Sequence, residues 1–144
     1  MQITRYTDYS LRVLIYLSAM PPMKLARVTD IAKGYGISRN HVVKVVHNLG
    51  RLGYIFTQQG RGGGVRLSKS PDKINLGLVV REVENTLNPV NCEDMECPLL
   101  PSCRLYTILN QAVAAYIKTL DKYTLADLIS DKAALRQVKQ LIPQ

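Results

Sequence analysis

The sequence predicts a mainly α-helical chain with one small β-hairpin: a winged helix-turn-helix followed by a long helix suited to dimerisation. Three observations predict it. Apolar residues recur at helical spacing along most of the chain. Two short helical patterns meet at a glycine-containing turn. Two strand-like runs flank a glycine-rich tip. Residues 1–70 read as a DNA-binding domain, with the helix-turn-helix over about 28–51 and the wing over about 54–67. Residues 71–144 read as a cysteine loop (88–104) and a dimerisation-helix region.

Tyr6 to Met20 is the first helix, with Leu11, Val13, Leu14, Ile15, Leu17 and Met20 apolar and Pro21-Pro22 stopping it. A short amphipathic helix follows, with Ile31 and Ala32 inward, ending near Gly34 or Gly36. Ser38 N-caps the next helix through its hydroxyl, and Ile37 packs at the corner. At 100° per residue, Val42, Val45, Val46, Leu49 and Leu52 share the core side of that helix. Asn40, Lys44, His47 and Arg51 fall opposite, with Arg39 and Val43 on the flanks.

That polar face holds no acid, whereas an ordinary exposed helix mixes Glu with Lys. A phosphate-lined groove selects such a face. Arg39 and Asn40 are placed for base edges and Val43 for a thymine methyl, while Lys44, His47 and Arg51 suit phosphates. His47 alone is equally well a plain surface histidine; the whole face favours double-stranded operator DNA. Gly53 ends the helix, and the strands Tyr54–Gln58 and Gly64–Leu67 form the wing, with Arg61 at its tip for a narrow minor groove. Gly60-x-Gly62-x-Gly64 matches neither a dinucleotide fingerprint nor a P-loop.

Charge follows the same division. Residues 1–70 carry 11 Lys and Arg against 2 acids, a balance of +9, and residues 71–144 carry 8 against 9, a balance of −1. A polyanion-binding half is thus joined to a neutral half with another task. The 47% hydrophobic content supports a packed core. No apolar run reaches the roughly 18 residues of a membrane span. Leu11 to Met20 lacks a cationic start and a cleavage site, so it reads as a buried helix rather than a leader. The expectation is a cytoplasmic protein with reduced thiols. With no nucleophile elbow, P-loop or paired catalytic acids, the chain does not read as an enzyme.

In the second half, Asn75 to Glu84 fits a short helix and Leu105 to Leu120 a longer one, with Leu105, Ile108, Leu109, Ala112, Tyr116 and Leu120 in one stripe. Such a helix beside a DNA-binding module suits a homodimer, because paired half-sites require two-fold symmetry; packing within its own chain is the alternative. Tyr123 to Ile129 is a further short helix, and the tail after Asp131 carries no signal.

Between those helices lies the chain's whole cysteine complement, Cys92-x4-Cys97-x5-Cys103, in a segment with Pro89, Pro98 and Pro101. Prolines exclude a regular helix or central strand there. The spacing lacks the paired knuckles of a zinc ribbon, and no histidine is near. Arg104 favours the adjoining thiolate, and Glu93, Asp94 and Glu96 read as solvated. The first reading is a soft metal centre of iron–sulfur type; a redox thiol sensor is the second, and three inert buried cysteines the third.

Four features in order, Thr7-Asp-Tyr-Ser-Leu-Arg12, the turn Gly36-Ile-Ser38, the wing Gly60-Arg-Gly-Gly-Gly64 and the three-cysteine loop, resemble the Rrf-type winged-helix iron–sulfur repressors. The resemblance runs from Met1 to about Ile129. The cluster-biogenesis branch of that family has a C-x5-C-x5-C loop and a histidine ligand after it, where this chain has C-x4-C-x5-C and Leu105-Tyr106-Thr107. The resemblance is therefore to the nitric-oxide-sensitive branch.

It implies a homodimeric repressor with one iron–sulfur cluster per subunit, 2Fe–2S or 4Fe–4S, on Cys92, Cys97 and Cys103. It also implies a fourth ligand, Asp8, from the other subunit. Nitric oxide would nitrosylate the cluster, release operator DNA and derepress nitrosative-stress genes. Read from the sequence alone, Asp8 is an acid in a helix's first turn, where the macrodipole favours it. A regulator of cluster supply, iron or redox state, and an iron–sulfur electron carrier, stay open beside this reading.

Overall fold

The computed structural model describes residues 2–92, 97–100 and 102–144. Helix α1 (Arg5–Ser18) starts one residue earlier and ends two earlier than its apolar pattern predicts. Thr4 caps it by accepting the Thr7 N–H at 3.3 Å. Val13, Leu14, Tyr16 and Leu17 are buried, so this helix is a core element. Its neighbours in space include the helices Arg39–Arg51, Leu76–Val83 and Lys132–Gln140, which makes it the strut on which both halves of the chain pack.

Helix α2 (Val28–Tyr35) ends at Gly36, whose φ of 64° is the left-handed conformation that lets its N–H reach the last carbonyls, Ala32 and Lys33. Ile37 is buried at the corner. Ser38 then caps α3 (Arg39–Arg51), accepting the His41 N–H at 3.3 Å. Val42, Val45, Val46 and Leu49 are buried, and Leu52 is half-buried at the helix end. Gly53, at φ 81°, turns the chain into the hairpin.

Strands β1 (Ile55–Gln58) and β2 (Gly64–Leu67) are antiparallel, with Ile55 opposite Leu67 and Gln58 opposite Gly64. A third segment joins them. Ala26 and Val65 exchange two backbone hydrogen bonds of 2.8 Å, so β2 is fastened to the chain just ahead of α2. The wing is thus tied to the helix-turn-helix from two sides.

After a 3₁₀ turn (Pro71–Lys73) comes α4 (Leu76–Val83), capped by Asn75, then the cysteine segment and α5 (Arg104–Leu120). The helix expected over Tyr123–Ile129 is a 3₁₀ helix (Leu125–Ile129), held by a reciprocal Thr124–Asp127 capping box. The tail also departs from expectation, since it holds α6 (Lys132–Gln140), capped by Asp131. No residue of α6 is buried, so its pattern is weak. Its anchor is the following Leu141, which packs so closely on α2 that a Cβ on Gly34 would lie 3.0 Å from the Leu141 carbonyl oxygen.

One buried cluster contains α1 and α3 residues, Val65 of the wing, and Ile74, Val79, Val83 and Leu125 from the second half. Each fully buried side chain of this size contributes about 1.5–3 kcal/mol. No α5 residue belongs to this cluster. Ile117 is that helix's one buried residue.

Candidate nucleic-acid interface and cysteine site

Every side chain expected to face DNA is exposed: Ser38, Arg39, Asn40, Val43, Lys44, His47 and Arg51 on or before α3, and Arg61 on the wing. The first turn of α3 holds no acid and its last turn holds Arg51. Arg39, Val43, His47 and Arg51 line an open groove of about 930 Å³ between α3 and the hairpin. Asn40 and Lys44 lie outside the groove, and the Lys44 carbonyl accepts a 3.3 Å hydrogen bond from Tyr6 of α1. Ser38 serves the cap, and its hydroxyl also meets His41 Nδ1 at 2.9 Å. His41 faces back toward α1, its ring 5.9 Å from that of Tyr9.

The groove also contains residues that sequence reasoning missed. Arg27, directly before α2, adds a cation, and Gln58 and Gln59 add polar groups on the hairpin side. Periodicity cannot find Arg27, because it precedes the helix rather than lying on a face of it. Phe56 is 42% exposed and opposite Arg66, whose guanidinium sits 4.5 Å from the ring centroid. Strand alternation was the available signal, since Ile55 is buried on the other face.

The wing tip owes its shape to glycine. Gly60 and Gly62 have φ of 88° and 79°, and the Gly63 N–H closes on the Gly60 carbonyl at 3.0 Å. A Cβ on Gly63 would fall 2.2 Å from the Gln58 carbonyl oxygen. The backbone is therefore packed on itself, and Arg61 is the side chain presented outward from the glycine run.

Cys92, Cys97 and Cys103 are free thiols, each half-buried. The Cys97 N–H lies 3.4 Å from the Cys92 carbonyl, and Cys103 is the N-cap residue of α5 without a side-chain cap bond. The Cys92 thiol is pushed above its ordinary range, first by desolvation and then by charge on Cys97 and Cys103. Cys97 and Cys103 thus each lie within electrostatic reach of Cys92. Among the described residues, no group of three His, Cys, Asp or Glu is placed to hold an ion. Glu93, Asp94, Glu96 and Pro101 lie outside the described residues. The donor set nonetheless fits a thiophilic centre, with three soft ligands and no competing imidazole on the loop.

Asp8 is not joined to the thiols of its own chain. It accepts two hydrogen bonds from Arg12 Nε, at 3.0 and 2.9 Å, and both side chains are well exposed. The carboxylate raises the Arg12 pKa. The guanidinium lies 5.8 Å over the ring of Tyr35, at the end of α2. Burial pushes the Tyr35 hydroxyl up to about 12, so it is neutral beside that cation.

A family model described as Rrf2, iron-dependent transcriptional regulator, matches residues 3–131. The chain belongs to the Rrf2 family. The HTH-type transcriptional regulator NsrR of Bacillus subtilis (strain 168) is 47% identical over 144 residues, spanning 98% of this chain and 99% of that protein. The NsrR of Shouchella clausii is 48% identical over 143 residues, spanning 97% and 96%. Among solved structures, CymR, the global cysteine regulator of B. subtilis, superposes with a TM-score of 0.74 at 24% identity, covering 90% of this chain and 97% of that one. IscR of T. potens gives 0.71 at 18% identity, covering 92% and 90%. These neighbours establish the winged-helix fold. An Rrf2 chain is a transcriptional regulator and not an enzyme, and no described helix is long and apolar enough to cross a membrane.

Two further features belong to this Rrf2 protein. Most of the α5 stripe is exposed, with Leu105 62%, Ile108 52% and Tyr116 37% exposed, while Leu109 and Leu120 are half-buried. Packing within the chain therefore covers only part of the stripe. The second feature is Glu84, at the end of α4. Its Oε2 accepts from the Thr4 N–H at 3.1 Å, the Thr4 hydroxyl at 3.1 Å and the Thr7 hydroxyl at 2.5 Å. It places a negative charge on the N-terminus of α1, where the helix dipole favours one. No motif marks this long-range contact in the sequence.

Proposed function

We propose that this protein is a homodimeric transcriptional repressor that reads operator DNA with α3 and the wing and senses nitric oxide through an iron–sulfur cluster. Cys92, Cys97 and Cys103 would hold the cluster, with Asp8 of the partner subunit as fourth ligand. One observation carries the reading: an exposed α3 face without acids and three cysteines within one short segment occur in a chain that matches NsrR relatives over nearly its whole length. The largely exposed α5 stripe supports the dimer.

When bound, the cluster would supply iron held mainly by thiolates, with the Asp8 carboxylate as the weakest and most exchangeable of its protein ligands. The chain's own residues supply the rest. Cys103 is the N-cap residue of α5, so ligation would order the segment leading into that helix. Asp8 has a partner in Arg12, 2.9 Å away on its own helix, so its carboxylate would remain paired when not held by iron. The α1 helix touches both α2 and α3 through Arg12–Tyr35, Tyr9–His41 and Tyr6–Lys44, so a shift at Asp8 reaches the DNA-reading pair. The outcome is a change of dimer geometry and a fall in operator affinity.

The test is an operator-binding titration of the anaerobically purified, cluster-loaded protein. Nitric oxide should lower its affinity; unchanged affinity overturns the reading. The family description as iron-dependent favours a second reading, a regulator of iron or cluster supply. That protein would answer to iron depletion and not to nitric oxide in the same titration.

A further inference from the structure

Tyr54 is the root of the wing. It follows the left-handed Gly53 at the end of α3, and its N–H bonds the Leu49 carbonyl at 2.9 Å. Its own carbonyl accepts the Ser68 N–H at 2.9 Å, which closes the base of the hairpin. Its ring is buried at 2% exposure, with the Lys69 ammonium 5.3 Å from the centroid. Both ends of the hairpin therefore converge on one residue.

The Tyr54 hydroxyl leaves that core on the far side and donates to Glu82 Oε2 in a short hydrogen bond. Glu82 is on α4, whose chain runs directly into the cysteine segment. The same end of α4 makes two other long-range contacts. Glu84 grips the N-terminus of α1, and Arg81 forms a two-pronged ion pair with Asp121 at the far end of α5, at 2.7 and 2.5 Å. Arg81, Glu82 and Glu84 thus bind three different elements from one helical turn. The cysteine segment follows α4 in the chain from the end where these three residues sit.

We propose that the Tyr54–Glu82 hydrogen bond couples the cysteine segment to the wing, and that both residues set the angle at which Arg61 meets the minor groove. This rests on the cluster-dependent repressor reading above. It adds a route that does not pass through Asp8 or the recognition helix. A hydrogen bond to a carboxylate is strong and directional enough to hold a lever, whereas the cation over the Tyr54 ring is not. Tyr54 stays protonated, because burial and the Glu82 charge both disfavour its anion.

The experiment uses the full-length dimer, with and without its cluster. Binding is measured to two operators that differ only in the segment under the wing, A·T-rich against G·C-rich. Tyr54→Phe and Glu82→Ala should each cut the loaded protein's preference for the A·T-rich operator by about three- to tenfold. Each should also shrink the ratio between loaded and cluster-free affinity. Glu82→Gln keeps an acceptor for the hydroxyl and should retain both. In an Arg61→Ala background, Tyr54→Phe should add no further loss.

Equal loss on both operators, or a Tyr54→Phe effect that persists without Arg61, would show a merely structural role and overturn the proposal. Unchanged preference in both variants overturns it too. Wild-type protein that binds equally with and without cluster would instead overturn the repressor reading itself.

Discussion

Cys97 sits between the other two thiols in sequence and bonds the Cys92 carbonyl through its own N–H. Cys97→Ala should abolish the visible absorbance of the loaded protein. It should leave the far-ultraviolet helical signal and the dimer unchanged, because no core residue is touched. Retained absorbance would remove Cys97 from the ligand set. Asp121 allows a prediction with a definite sign. The Arg81 guanidinium holds its carboxyl below the ordinary range, so the pair contributes stability that is present above the unfolded carboxylate's pKa and lost as pH falls through the folded one. Arg81→Ala should lower the melting temperature at pH 7, and the deficit should fade below about pH 4. Because both groups are exposed, the effect is small and screened by salt. At this scale the sequence was a fair guide wherever a residue's role was local. Ser38, Ile37 and Gly36 act within a few positions of themselves. Glu84 and Tyr54 act across the fold, on partners that no spacing rule connects.

Among elements, α3 was legible because two independent signals coincide in it. Its apolar face follows the helical repeat, and its polar face lacks acids. The α4 and α5 helices were legible as helices, but the ion pair and hydrogen bonds that join them to the rest were not. In α6 the reason is physical. Its apolar positions are at most half-buried, and its hold on the molecule lies beyond its own end, in Leu141 and Ile142. The α5 stripe yields the prediction at this scale. Leu105→Glu with Ile108→Glu places charge where an apolar partner surface is proposed, and should turn the dimer into a folded monomer with lost operator affinity. Sedimentation velocity would check the first part and a binding titration the second. A dimer that persists would move the interface elsewhere.

The whole molecule is electrically divided, and the division coincides with its task. Arg27, Arg39, Lys44, Arg51 and Arg61 are exposed in a half that carries nearly all its charge as cations. Operator affinity should therefore fall steeply with salt. Lys44→Ala should weaken binding evenly across sequences and make the log–log slope shallower by about 1 for each subunit bound. An unchanged slope would take Lys44 off the phosphates. The segregation itself was readable from charge counts. That both halves share one core was not, because Ile74, Val79 and Leu125 give no sign in sequence that they meet α1 and α3.

The close seat of Leu141 on Gly34 has a practical side. The end of the chain is part of the bearing surface for α2, so handling that end is handling the DNA reader. A protein cut after Gln140 should melt at lower temperature and bind operator more weakly, with its thiols and its α3 face untouched; a thermal melt beside a binding titration would show it. A purification tag or fluorescent reporter fused at that point would have the same effect and could pass for a defect in sensing. Joined by a spacer beyond Gln144, it would leave the seat intact.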